Sequence, residues 1–376
     1  MKPIESLVRN NVKNLKPCVH GAEVFGAAEE SGLLPQEILD FSSNVNPLGP
    51  SKRALDAARG AFSQITAYPD SNSNDLRQVI ASHFCINRDE IVVGNGSTEL
   101  MYLFADVFMK KGDRAVMPAP TFGEYASAVC KTGEATKFVK LGKTFTIEPE
   151  SFKRYIIGAK LVFLCNPNNP TSKLISQEAL KDIIETALAQ DTLVFLDEDF
   201  LEFVDAEKSL SMINKIVKYP NLFVLRSFTK IYGLTGLRVG YGIANPEIIN
   251  MLSGAKIPWN VNCIAQAAAV AALKDEQHLQ VTLELIRKEK AWLMGELGKF
   301  SGFRFTMPDA NFFFIDVRKS GFSAAELKSK MVKQGILIRD CTSFNGLDEF
   351  YIRVAVKTHN ENEQMLRSLR RILKAL

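Results

Sequence analysis

Between residues 90 and 225 the chain alternates short, continuous apolar runs with stretches of helical spacing. The runs are Glu90-Ile91-Val92-Val93, Arg114 to Met117, Leu161-Val162-Phe163-Leu164-Cys165, Leu193-Val194-Phe195-Leu196 and Leu222-Phe223-Val224-Leu225. An apolar run without polar alternation predicts a strand covered on both faces. Between two of these runs, Leu180, Ile183, Ile184, Ala187 and Leu188 fall on one helical face. Ser176 stands where an N-cap is needed, and Ile175 and Leu180 can close a hydrophobic staple. Glu99 to Met109 predicts another helix. Strands alternating with helices predict an α/β fold, with a mostly parallel sheet covered by helices on both faces.

The last quarter has a different rhythm. Gly302 to Met307, Asn311 to Val317, Ile336 to Arg339 and Tyr351 to Val356 read as strands. Ser323 and Glu326 form a capping box whose helix stops near Gly335. A final helix carries Leu366, Leu369, Ile372, Leu373 and Leu376 on one side. The expected organisation is an N-terminal segment (1–50) packing on a small C-terminal α/β domain (286–376), with a large domain (51–285) between them.

Composition narrows the function. Of 376 residues, 46% are hydrophobic and 23% charged, as in ordinary folded domains. The net charge of +4 gives no footprint for nucleic acid. The longest apolar stretch, Ala265 to Leu273, is short and broken by Gln266, so no membrane span is expected. The N-terminus lacks the apolar core of a signal peptide. The six cysteines are widely spaced without a C-x-x-C pair, which predicts free thiols and a cytoplasmic location. No histidine spacing suits zinc, so no metal is expected.

In parallel sheets, ligands bind beyond the carboxyl ends of the strands. The residues there are Gly96-Ser97-Thr98, Pro120-Thr121-Phe122, Asn166 to Thr171, Asp197 and Ser227 to Lys230, with Arg238 close behind. Gly94 to Thr98 opens a helix and suits a phosphate, although the same residues equally suit a tight turn. Asp197 can face a protonated ring nitrogen. Lys230 can lose its proton and attack a carbonyl if cations surround it, and the glycines from Gly233 to Gly242 imply crowded backbone nearby. Arg238 offers a permanent, planar charge. Arg339 and Arg353 sit on apolar strands and need either anionic ligands or internal partners.

As an ordered set, Gly96-Ser97-Thr98, Asn169-Pro170-Thr171, Asp197, Ser227-x-x-Lys230 and Arg238 resemble the fold-type-I enzymes dependent on pyridoxal 5′-phosphate. More narrowly, the chain resembles the class containing histidinol-phosphate aminotransferase and threonine-phosphate decarboxylase. The resemblance implies that Lys230 attaches the cofactor covalently, Asp197 faces its ring nitrogen, Asn169 bonds the ring hydroxyl and Phe122 stacks on the ring. Gly96, Ser97, Thr98, Ser227 and Arg238 would hold the phosphate. Tyr68 would reach the neighbouring subunit's cofactor, which implies a homodimer with shared active sites.

Three stretches, Val19 to Glu23, Leu39 to Gly49, and Leu337 to Cys341 with Tyr351 to Lys357, resemble the decarboxylases acting on L-threonine O-3-phosphate in cobalamin synthesis. The expected reaction is therefore decarboxylation of a phosphorylated amino acid to aminopropanol phosphate. Arg353 would hold the carboxylate, with Asn169 beside it, and His20, Asn46 and Arg339 the substrate phosphate. The alternatives are amino transfer from histidinol phosphate to 2-oxoglutarate and decarboxylation of serine phosphate. Two residues depart from the family pattern. Ala22 stands where a second glycine is common. Phe200 stands where relatives often have a tyrosine, whose hydroxyl Tyr232 would have to replace.

Overall fold

The computed structural model describes residues 3–13, 15–205 and 207–374. In chain order its strands are β1 (Leu39–Asp40), β2 (Ile91–Gly94), β3 (Arg114–Ala119), β4 (Ala135–Lys140), β5 (Leu161–Cys165), β6 (Leu193–Asp197) and β7 (Leu222–Ser227), followed by β8 (Gly240–Ala244), β9 (Arg304–Phe305), β10 (Phe312–Asp316), β11 (Ile336–Leu337), β12 (Arg339–Asp340) and β13 (Tyr351–Ala355). The apolar runs become the middle of a seven-stranded sheet in the order β2-β8-β7-β6-β5-β3-β4. Strands β3 to β7 run parallel, and β8 runs antiparallel to both its neighbours. Both faces are covered, so β5 and β7 are buried along their whole length.

The apolar pattern misses two strands of this sheet. β4 lies at the edge and alternates exposed residues with half-buried ones and the buried Val139. β8 reads Gly-Tyr-Gly-Ile-Ala, a weak strand sequence. The structure explains its glycine: a Cβ on Gly242 would lie 2.0 Å from Phe223 Cζ on the neighbouring strand.

The helix Gln177–Leu188 starts as its sequence requires, with Ser176 Oγ accepting from the Ala179 N–H at 3.2 Å. Strands β12-β13-β10-β9 form the smaller sheet. The capping box at Ser323 opens the helix Ala324–Val332. The last helix, His359–Lys374, buries Leu366, Leu369 and Ile372, while Leu376 lies outside the described residues. The single strand expected from 336 to 339 divides in two. Ile336–Leu337 pairs in parallel with β1, and Arg339–Asp340 pairs with β13. That division ties the N-terminal segment to the small sheet. The helix Glu276–Leu297 crosses residues 285–286 without a break. One apolar cluster joins Leu196 and Val224 of the large sheet with Phe312 and Val354 of the small one.

Candidate active site

A cavity of about 410 Å³ opens where the two sheets meet, and His20, Phe122, Asn169, Lys230, Arg339 and Arg353 all line it. Lys230 follows β7 and is held on both sides. The Thr229 N–H donates to Ser227 Oγ at 2.8 Å, and the Asn46 N–H donates to the Lys230 carbonyl at 2.9 Å. Its Nζ stands 5.6 Å from the centre of the Phe200 ring. Burial holds the amine below the usual lysine range; Arg353 and Arg238 add to this, and Asp199 and Asp197 oppose it. Such an amine gives up its proton readily and can act as a nucleophile.

Asp197 ends β6 and is buried behind the cavity. Its Oδ2 accepts from the Tyr125 hydroxyl at 2.6 Å, and its Oδ1 accepts from the Asp199 N–H at 2.9 Å. Burial, and next the charge of Asp199, push the carboxyl up to about 7. A ring cation placed against it would hold it ionised.

Asn169 and Arg353 are a matched pair. Arg353, on β13, donates through Nη1 to Asn169 Oδ1 and through Nη2 to the Ser42 carbonyl. Burial lowers the guanidinium to about 10, and its Nε has no partner. With Oδ1 engaged, the Asn169 amide keeps its N–H donors for an oxygen in the cavity.

The phosphate cradle is built from what is missing. Gly96 has φ +81°, and a Cβ there would lie 2.6 Å from Arg238 Nη2; one on Gly240 would lie 2.7 Å from the Ser97 nitrogen. The Arg238 guanidinium and the start of the helix Ser97–Phe108 thus converge with no side chain between them. That donor set fits a phosphate.

Other predicted residues lie elsewhere or are otherwise engaged. Ser227 is fully buried, and its hydroxyl accepts from the Thr229 N–H at 2.8 Å. Thr98 faces a separate groove beside Tyr102 and Lys256. Asn46 does not reach the cavity: its Nδ2 donates to the Ile231 carbonyl at 2.8 Å and to Thr282 Oγ1 at 2.9 Å, while its Oδ1 accepts from the Leu48 N–H. Its role as a phosphate ligand is therefore corrected to holding the backbone beside Lys230. Tyr68 is 79% exposed and stacks on Trp259 at 4.5 Å, away from this chain's cavity. Tyr232 is buried against Phe228, with Glu202 and Arg226 as its charged neighbours, and does not replace the hydroxyl missing at Phe200.

Arg339 lines the cavity but is already engaged, donating to the backbone carbonyls of His20 and Val19, each at 2.7 Å, and to Ser343 Oγ. His20 Nε2 lies 2.8 Å from Glu124 Oε1. That bond to His20 is the main reason the Glu124 carboxyl stays below its usual range, and Tyr102 donates to its other oxygen. Two site residues escape the sequence reading. Tyr125 sits three residues after Phe122 at a helix start, a spacing that could have pointed to it. Asp199 resembles a solvated acid in a run of three, yet it is buried.

The aminotransferase class I and II family matches residues 36–369. A histidinol-phosphate aminotransferase from Methanosphaera stadtmanae is 35% identical over 368 residues, covering 96% of this chain and 98% of its own. Another, from Symbiobacterium thermophilum, is 36% identical over 368 residues, covering 98% and 99%. The crystal structure of the Clostridium acetobutylicum histidinol-phosphate aminotransferase superimposes with a TM-score of 0.85 at 33% identity, over 90% of this chain and 100% of that one. The L-threonine-O-3-phosphate decarboxylase from Porphyromonas gingivalis gives 0.79 at 26% identity, over 89% and 99%.

These are fold-type-I enzymes dependent on pyridoxal phosphate, and the chain belongs to the aminotransferase class I and II family. Its cofactor is pyridoxal 5′-phosphate, which the cradle, Asn169, Asp197 and Lys230 fit.

The expectation of a threonine-phosphate decarboxylase is overturned by the relatives at 35–36% identity over nearly the whole chain, which are histidinol-phosphate aminotransferases. The stretches behind that expectation chiefly hold the fold together. Leu39 and Asp40 pair with Ile336 and Leu337, the Asp40 carboxylate caps Ser42 and Ser43, and Asn46 braces the loop after Lys230. Other residues of the same stretches, among them His20, Ser43, Arg339 and Arg353, line the cavity.

Proposed function

We propose that this protein transfers an amino group from histidinol phosphate to 2-oxoglutarate. The observation that carries this reading is near-full-length identity to histidinol-phosphate aminotransferases, joined to a cavity in which the buried guanidinium of Arg353 lies against Asn169. An aminotransferase receives two anionic substrates in turn at one site. Arg353, whose Nε has no partner while Arg339 is engaged by the His20 and Val19 carbonyls, suits both, the phosphate of one and the carboxylate of the other. Pyridoxal phosphate, when bound, supplies the carbonyl that accepts the amino group and a ring that spreads negative charge. Lys230 Nζ takes the proton from the substrate carbon that carries nitrogen and returns it at the other end of the transfer. Asp197, braced by Tyr125, keeps the ring nitrogen protonated. Asn169 orients the ring through its free N–H, and Phe122 covers it.

The reading includes a dimer. Tyr68, Phe62, Ile65, Ile257 and Trp259 are all exposed apolar residues, a set that a second subunit would cover. No helix among the described residues is long and apolar enough to cross a membrane.

The test is glutamate formation by the cofactor-loaded protein. Glutamate should form only when histidinol phosphate and 2-oxoglutarate are both present. Release of CO2 from L-threonine O-3-phosphate, with no oxo acid added and no turnover of histidinol phosphate, would overturn the proposal.

A further inference from the structure

The loop between β4 and the helix Pro149–Ile156 carries a half-buried aromatic residue in a conformation that aromatic residues avoid. Phe145 has φ 57°, a left-handed backbone that a bulky residue keeps only where its surroundings hold it. The loop is built to present it. The Phe145 N–H donates to the Gly142 carbonyl at 2.9 Å, and the Gly142 N–H donates to the Thr146 carbonyl at 3.2 Å. The hydroxyls of Thr144 and Thr146 meet at 2.9 Å.

The side chain reaches across to the other sheet. Its ring stands nearly perpendicular to Phe314, at 5.1 Å, and to Tyr351, at 5.6 Å. Those two rings stack on each other at 5.0 Å. Phe314 on β10 pairs directly opposite Arg353 on β13, and Arg353 pairs opposite Arg339 on β12. Tyr351 lies two residues before Arg353, so all four side chains project from one face of the small sheet. Phe344 belongs to the same apolar cluster, lies 5.3 Å from the Arg339 guanidinium and lines the cavity. Phe145 thus rests on the face that carries both cavity arginines.

A second contact pins the same face elsewhere. Phe200, just beyond β6, meets Phe312 at 5.1 Å, and the Arg353 guanidinium lies 5.4 Å from the Phe312 ring. One point of contact would leave the small sheet free to tilt against the large one. Two points, Phe200 on Phe312 and Phe145 on Phe314 with Tyr351, fix it.

We propose that Phe145 is a positioning residue for substrate: through Phe314 and Tyr351 it holds the face bearing Arg353 in register with Lys230. This role rests on Arg353 being the anchor of both anionic substrates. Lys230, Asp197, Asn169 and the phosphate cradle all belong to the large sheet and its loops. Loss of the Phe145 ring therefore loosens the grip on substrate and spares the cofactor.

Phe145→Ala, Phe145→Gly and Phe145→Leu are compared with the wild type. The probe is 2-oxoglutarate, titrated into the cofactor-loaded proteins; it has no amine and so binds without reacting. Inorganic phosphate is the second probe. Phe145→Ala should bind both about tenfold more weakly, while the affinity of its apoprotein for pyridoxal phosphate stays within about twofold of wild type. Phe145→Gly relaxes the left-handed backbone. It should unfold at a higher temperature than Phe145→Ala yet bind anions no better, and it serves in place of the alanine variant if that one folds poorly. Phe145→Leu refills the space against the two rings and should recover most of the affinity. Unchanged anion affinity without the ring would overturn the proposal. So would equal losses for cofactor and anion, or anion affinity that simply follows the melting temperature across the series. A wild type that binds phosphate but not 2-oxoglutarate would refute the amino-acceptor reading alone, and the phosphate titrations would still decide the role of Phe145.

Discussion

Replacing Gly96 by alanine separates the two forces that shape the phosphate cradle. Gly96 has φ +81° and ψ 159°, a region that essentially only glycine occupies, and an alanine there costs about 1–3 kcal/mol in the folded state. Its Cβ would also fall 2.6 Å from Arg238 Nη2. The guanidinium is the far end of a flexible side chain, so it yields before the backbone does. Arg238 then leaves the cradle, and the phosphate loses a charge-assisted hydrogen bond, about 1.5–3 kcal/mol. In affinity this is about 10- to 150-fold. Gly96→Ala, Arg238→Ala and the double variant, each titrated as apoprotein with pyridoxal phosphate, should show that the two losses do not add, because both remove the same contact. Thermal unfolding of the empty proteins should reveal the backbone strain in Gly96→Ala alone. Fully additive losses, or an affinity of Gly96→Ala within threefold of wild type, would refute the account of the cradle.

Three further outcomes are expected. Ala22 has φ 64°, a left-handed conformation that costs a non-glycine residue about 1–2 kcal/mol; Ala22→Gly should raise stability by up to about 1 kcal/mol after the entropy of the unfolded glycine is counted, and a lower denaturation midpoint would contradict this. Burial pushes the Glu202 carboxyl up to about 8, above its unfolded value, so the folded state binds more protons and loses stability as pH rises from the unfolded value through 8. Glu202→Gln should flatten that loss, by a few kcal/mol between pH 5 and 8, read from denaturation at each pH; identical pH slopes would count against it. Arg353→Lys cannot reach both Asn169 Oδ1 and the Ser42 carbonyl, so KM for both substrates should rise by about tenfold or more, and a rise for only one would show that they do not share this anchor.

The sequence reveals most where burial is uniform. Strands β5, β6 and β7 read plainly because both faces are covered and each opens with four consecutive apolar residues. β4 and β8 do not, one because an edge admits polar residues and the other because the Phe223 ring demands glycine. Lys230, Asn169 and Phe122 could be read from where the strands end, since a parallel sheet collects its strand ends on one side. Asn46 and Ser227 could not be resolved in the same way. A polar side chain in a motif can serve a ligand or the backbone, and only the partners at Ile231, Thr282 and Thr229 distinguish these. Asp199 was hidden for the opposite reason: in a run of acids, nothing in the sequence marks which one is turned inward.

Arg339 grips the segment before Gly21 through the carbonyls of residues 19 and 20 rather than through their side chains. A carbonyl is the same on every residue, so this attachment is blind to sequence. Val19 can therefore be exchanged without unfastening the wall of the cavity, whereas exchanging His20 also gives up its bond to Glu124. The enzyme carries, in effect, a panel whose facing can drift while its fixings stay constant. Preference for one phosphorylated amine over another could change there within a few substitutions, leaving Lys230, Asp197 and the cradle untouched. A library varied at Val19 would explore substrate range at little risk to the fold.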